Sequence, residues 1–98
     1  MIPLGGNPRF RCPRPADFAL RSWPDGVAVF DDRGGHIRAL SPLAGEILRL
    51  LQSSADGMDV MAIVEALLGV TPEPDDAASM LALLGEFELL GFAEREVE

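Results

Sequence analysis

The segment His36-Ile-Arg-Ala-Leu-Ser-Pro-Leu-Ala-Gly-Glu-Ile-Leu-Arg-Leu-Leu51 decides the fold. A short run ends at Leu40, and Ser41-Pro42 switches the chain into an amphipathic helix. Serine is a favoured N-cap because its hydroxyl accepts from first-turn amides, and proline suits the first helical position, whose N–H has no partner. Glu46 lies in the early turns, where the helix dipole tolerates negative charge. Leu43, Ile47, Leu50 and Leu51 follow the spacing of a buried stripe, widened by Ala44 and Leu48. A strand of about five residues therefore feeds a core helix, with sheet expected before it and helix after it.

Upstream, Asp17 to Trp23 alternates, with Phe18 and Leu20 on one side and Ala19, Arg21 and Trp23 on the other, as a half-buried strand does. Pro24-Asp25-Gly26 is a turn, since proline presets φ and glycine supplies a positive one. Val27 to Phe30 is a β-branched and aromatic second strand. Asp31-Asp32-Arg33-Gly34-Gly35 turns the chain again, and His36 to Leu40 returns as the third strand of an antiparallel meander. Downstream, Gln52 to Gly57 reads as loop. Asp59 caps a second helix with Val60, Ile63, Val64, Leu67 and Leu68 as its apolar positions, and Gly69 ends it. Thr71-Pro72-Glu73-Pro74 is a linker. A third helix runs from about Asp75 to Leu90, its acidic first turn complementing the dipole and Gly91 stopping it. Met80, Leu83, Leu84, Phe87 and Leu90 form its core stripe, and Phe92 tucks back under the helices. The pattern predicts an α+β, winged-helix-like domain: a three-stranded antiparallel β-meander followed by three α-helices.

The ends read differently. Residues 1–16 hold four prolines, two adjacent glycines and three arginines, a composition that opposes helix and central strand alike. The expectation is a flexible arm over 1–16, a domain over 17–92 and an acidic tail over 93–98 that frays into solvent. Cys12, in that arm, is an incidental thiol. MIPLGGNPRF lacks the apolar core of a secretory signal, and no stretch reaches the length of a membrane span. A soluble, cytoplasmic protein with no membrane partner is expected.

At 98 residues and 48% apolar content the chain is expected to build one domain. Its formal charge of −8 is uneven. Residues 1–40 carry six Arg against four Asp, whereas 41–98 carry two Arg against twelve carboxylates. Phosphate neutralisation dominates non-specific nucleic-acid binding. The helical half has the wrong sign for it, and residues 75–90 contain no cation. No nucleic-acid partner is therefore expected, and a winged-helix transcriptional regulator is disfavoured.

Catalysis is disfavoured by inventory. The chain has one His, one Cys, no Lys and no Tyr, and no metalloprotease, nucleophile-elbow or phosphate-loop motif. His36 reads as a surface strand residue, and Asp31-Asp32 and Asp75-Asp76 as a turn and a helix start. Catalytic residues, metal ligands and cofactors are expected to be none. What remains is binding. The third strand has an edge with unpaired backbone groups, to which an extended peptide can add as a further strand. In the third helix Ala78, Ala82 and Gly85 form a flank of little bulk, and a mid-helix glycine costs about 1 kcal/mol relative to Ala. That flank serves either close packing against another helix or a shallow groove.

Leu40-Ser41-Pro42-Leu43-Ala44, Ile47-Leu48, Leu51, Asp56-Gly57, Ile63, Val64, Leu67, Phe87 and Leu90-Gly91-Phe92 together resemble the PqqD family, named for pyrroloquinoline quinone biosynthesis protein D. Arg21-Ser22-Trp23-Pro24-Asp25-Gly26, Val27 to Phe30 and the glycine turn before His36 are more similar to a subgroup, the PqqD-like peptide chaperones of the HPr-rel-A system. Ser41-Pro42 and the longer spacer over 52–55 depart from PqqD itself and point away from quinone cofactor synthesis. The resemblance implies a non-catalytic recognition element for precursor peptides. In that family the leader peptide adds beside the third strand, in a groove shared with the third helix, and is presented to a modifying enzyme. Carried onto this chain, the peptide-binding positions are His36, Ile37, Arg38, Ala39, Leu40, Ala78, Leu81, Ala82, Gly85 and Glu88. The acidic helical half favours a leader of basic character. The alternative is a regulatory interaction domain docking on a folded, HPr-kinase-related partner. Arm or strand exchange would produce a homodimer, which the sequence leaves open.

Overall fold

A computed structural model describes residues 8–69 and 73–96 of the chain. The glycines of the arm, Thr71-Pro72 of the linker and the last two tail residues lie outside the described residues. The element order is β1 (Arg9–Arg11), β2 (Phe18–Trp23), β3 (Gly26–Asp31), β4 (His36–Leu40), α1 (Pro42–Ser53), β5 (Met58–Asp59), α2 (Val60–Leu68), α3 (Pro74–Leu90) and β6 (Glu94–Glu96). A 3-10 turn at Pro15–Asp17 joins the first two strands. The fold is α+β, with the antiparallel meander β2-β3-β4 followed by the helices.

The expected caps set the helix ends. Ser41 Oγ accepts from the Ala44 amide at 3.1 Å, with Pro42 in the first turn of α1. Asp59 Oδ1 accepts from the Ala62 amide at 2.7 Å at the start of α2. α3 begins at Pro74, inside the expected linker, with Glu73 rather than an aspartate as its cap, and the Asp76 carboxylate accepts from the Glu73 N–H at 3.1 Å. Gly69 and Gly91 close α2 and α3 with φ of 73° and 82°, a left-handed geometry that favours glycine. Gly45 permits a close approach: a Cβ there would lie 2.7 Å from Val27 Cβ, so α1 seats directly on β3 because this position has no side chain. No helix among the described residues is long and apolar enough to cross a membrane.

The meander presents Phe18 and Val29 to a core completed by Ala44, Ile47, Leu48 and Leu51 of α1, Val60, Ile63 and Val64 of α2, and Met80, Leu84 and Phe87 of α3. Phe92 is buried as expected, edge-on to Phe18 at 5.1 Å and to Phe87 at 5.6 Å. Gln52 of α1 donates to the carbonyls of Phe18 and Pro15 at 2.9 and 3.0 Å, tying the start of β2 to the helix layer. At the β3–β4 turn, partial burial pushes the Asp31 carboxyl up. Hydrogen bonds from the Gly34 amide, Arg14 and the Arg33 amide outweigh it and hold the group below its ordinary value.

Three expectations need correction. The arm is not a loose segment where it is described, because Arg9–Arg11 is the central strand of a second sheet ordered β5-β1-β6. Phe10 inserts fully into the core there, and Cys12 is buried beside it as a small apolar group, with burial pushing its thiol pKa up. Nor do Glu94–Glu96 fray: they pair antiparallel with β1, Arg11 with Glu94 and Arg9 with Glu96. Opposite charges directly across a ladder stabilise such short pairings, and Arg11 Nε donates to Glu94 Oε1 at 2.8 Å. Finally, Leu43 is 55% exposed rather than part of the core stripe, because it faces an open cleft between α2 and α3.

Candidate functional site

β4 is the last strand of its sheet, and among the described residues no strand pairs with its outer side. The register fixes which backbone groups face that side. Trp23 and Gly26 close a two-residue turn, so they form a hydrogen-bonded pair. Hydrogen-bonded and non-hydrogen-bonded pairs alternate along an antiparallel ladder. Asp17 and Asp32, at the far end, obey the same parity, the Asp32 amide donating to Asp17 O at 2.9 Å. On β3, then, Gly26, Ala28 and Phe30 bond towards β2, while Val27, Val29 and Asp31 bond towards β4. Their partners Leu40, Arg38 and His36 use their backbone groups inward. Ile37 and Ala39 are left with N–H and C=O directed outward, two residues apart, as a docking strand requires.

Side chains alternate in the same way. His36, Arg38 and Leu40 share the core-side face with Val27 and Val29 but lie at its rim, where only Leu40 is partly covered. Ile37 and Ala39 lie on the outer face. There Ile37 is 68% exposed and, with Ala19, Trp23, Ala28 and Phe30, makes a face largely apolar where solvated sheets are usually polar.

Three residues beyond β4 the chain reaches Leu43, which opens onto a cleft of about 160 Å³. Val64, Leu67 and Leu68 of α2 form one wall and Met80 and Leu83 of α3 the other, with Asp76 and Ser79 contributing the polar atoms. Of these, Leu43 was expected in the core, and Asp76 and Ser79 carry no sequence signal that separates them from an ordinary helix surface. The free edge and the cleft are thus joined by Ser41-Pro42.

The α3 flank behaves differently. Ala78, Leu81 and Ala82 are exposed, Gly85 is partly covered, and Leu89 beyond them is 89% exposed. They lie opposite the buried Met80, Leu84 and Phe87, and Ala78 and Ala82 stand one residue step, about 100°, around the helix from Ser79 and Leu83. Nothing lies within 4 Å of a Cβ built on Gly85, so close packing is not its reason. Glu88 accepts from Arg95 of β6 at 3.1 Å, and Arg95 covers the ring of Phe10. Gly85→Ala is accordingly expected to raise stability by roughly 0.5–1 kcal/mol. Urea denaturation would check it, a loss indicating a contact at this position that the structure does not contain.

No group of three or more His, Cys, Asp or Glu side chains among the described residues is placed to hold a metal ion. The second concavity, beside Arg11, Asp56, Glu94 and Arg95, is shallow and crossed by the Arg11–Glu94 ion pair.

The fold is shared with two solved leader-peptide complexes. One is TbiB1 in complex with the TbiA(beta) leader peptide, with a TM-score of 0.62 at 15% identity over 84% of this chain and 94% of that one. The other is lasso peptide synthetase B1 complexed with the leader peptide, with a TM-score of 0.60 at 18% identity over 87% and 96%. No family model matches the chain, and no curated protein matches it.

Proposed function

We propose that this protein is a non-catalytic peptide chaperone that binds the leader segment of a precursor peptide and presents it to a modifying enzyme. The leader adds as a strand outside β4, its backbone meeting the outward groups of Ile37 and Ala39, and continues past Leu43 towards α3. The unpaired outer side of β4 carries this reading. The likeness of fold to two leader-bound chains supports it, as does a side-chain inventory poor in reactive groups. Main-chain bonds supply affinity in this recognition mode, and alternate side chains supply specificity. The small flank of α3, with Ala78, Leu81, Ala82, Gly85 and Glu88, borders the leader's course. A Gly85→Leu variant tests that placement through peptide affinity.

The test is backbone-amide NMR of the labelled protein titrated with short peptides encoded beside it or selected on it. Strand addition is expected to move the amides of Ile37 and Ala39 most. Shifts confined to helix surfaces would overturn the reading. A second reading, docking on a folded partner such as an HPr-kinase-related protein, is favoured by one observation, the apolar outer face around Trp23 and Ile37. In that case the shifts would centre on the outward-facing residues of β2 and β3.

A further inference from the structure

We infer that Arg38 selects the incoming strand by requiring an aspartate or glutamate directly opposite it, flanked by apolar residues opposite Ile37 and Ala39. This rests on strand addition at β4. The side chains of Arg11, Arg14 and Arg95 are engaged by carboxylates, and that of Arg49 bonds Ser22. Arg38, like Arg9, Arg21 and Arg33, has no such partner among the described residues, and of these four it alone lies on β4, on the core-side face of the strand with the free outer side.

The register makes this position selective. Arg38 bonds its backbone inward to Val29, so towards an added antiparallel strand it occupies a non-hydrogen-bonded site. Facing Cα atoms there stand about 4.5 Å apart, the closer of the two spacings, and facing side chains touch. An opposite charge across such a pair is favourable and a like charge unfavourable. The neighbours of that residue fall beside Ile37 and Ala39 on the apolar outer face, where a charge would lose solvent without gaining a partner. The acidic helices act from farther away and are weakened by salt over about 8–10 Å. Basic character in the leader therefore belongs to the portion lying over α3, not to the added strand. The recognised strand has the pattern apolar–acidic–apolar.

A phage-displayed library of random dodecapeptides, panned on the full chain and on an Arg38→Glu variant, tests this. Wild-type panning is expected to enrich Asp or Glu between two apolar residues, and Arg38→Glu to exchange the carboxylate for Lys or Arg at the same spacing. A synthetic peptide from the wild-type pool should lose affinity roughly tenfold on Arg38→Glu and regain it when its own carboxylate is replaced by Lys. Arg38→Ala should give a smaller loss of the same sign, and unchanged melting of both variants shows that the fold is kept. Identical pools from both proteins, with the amides of Ile37 and Ala39 still shifting, would overturn the role of Arg38 and leave strand addition standing. Peptides that bind without moving those amides, or no enriched peptides at all, would overturn both.

Discussion

Replacing Phe10 by Ala is expected to lower the free energy of unfolding by about 3–5 kcal/mol, the usual range for deleting a fully buried aromatic ring. The ring has no exposed surface and belongs to the same cluster as Ile47, Ile63 and Phe87. Its strand is also the middle of the β5-β1-β6 sheet, so loosening it frees two neighbours that have no other partner in that sheet. Arg95 lies over the ring at 4.9 Å and would lose that contact as well. Small domains have roughly 5–15 kcal/mol in all, so the loss is a large share of the total. The exposed Arg11–Glu94 pair cannot compensate, since ion pairs of that kind contribute about 0–1 kcal/mol. Urea denaturation of the full chain provides the measurement. A loss below about 1 kcal/mol, the ordinary effect of a surface change, would show that residues 9–11 are a dispensable arm after all.

The position of Phe10 shows where the sequence is legible and where it is not. Ser41-Pro42, Asp59, Gly69 and Gly91 mark helix ends through chemistry that acts within four residues, and alternation over Phe18–Trp23 is long enough to show a period. The second sheet has none of that. Its strands are two or three residues long, too short for periodicity, and β1 pairs with β6 across most of the chain. Only the matching of Arg9 and Arg11 with Glu96 and Glu94 hints at the pairing. Periodicity also sorts Leu43 with Ile47 and Leu51 without revealing that it faces an open cleft between the other two helices. The site divides along the same line. β4 is readable as a strand, but its free edge, the outward amides of Ile37 and Ala39 and the isolation of Arg38 follow from strand order and register. The cleft beyond Leu43 depends on how three helices meet, which none of its residues encodes alone.

Replacing Ala39 by Pro is expected to abolish peptide binding while leaving the fold nearly intact. Proline has no backbone donor and is tolerated in sheets where the missing N–H would face outward from an edge strand. The pairing of Ala28 with Ala39 is of the non-hydrogen-bonded kind, so no ladder bond to β3 is lost. An added peptide strand, by contrast, would meet a ring where it needs a donor and would keep one carbonyl unsatisfied. A stranded polar group costs about 1–3 kcal/mol, and the ring also keeps the strands apart, so affinity should fall by roughly a hundredfold or more. Arg38→Pro gives the opposite signature, because Arg38 donates inward to Val29 and its loss breaks the meander itself. Thermal melting and peptide titration of the two variants side by side separate edge from interior. If Ala39→Pro melts far below the wild-type protein, or binds selected peptides as tightly, the outward direction of this amide is wrong and β4 is not where the peptide joins.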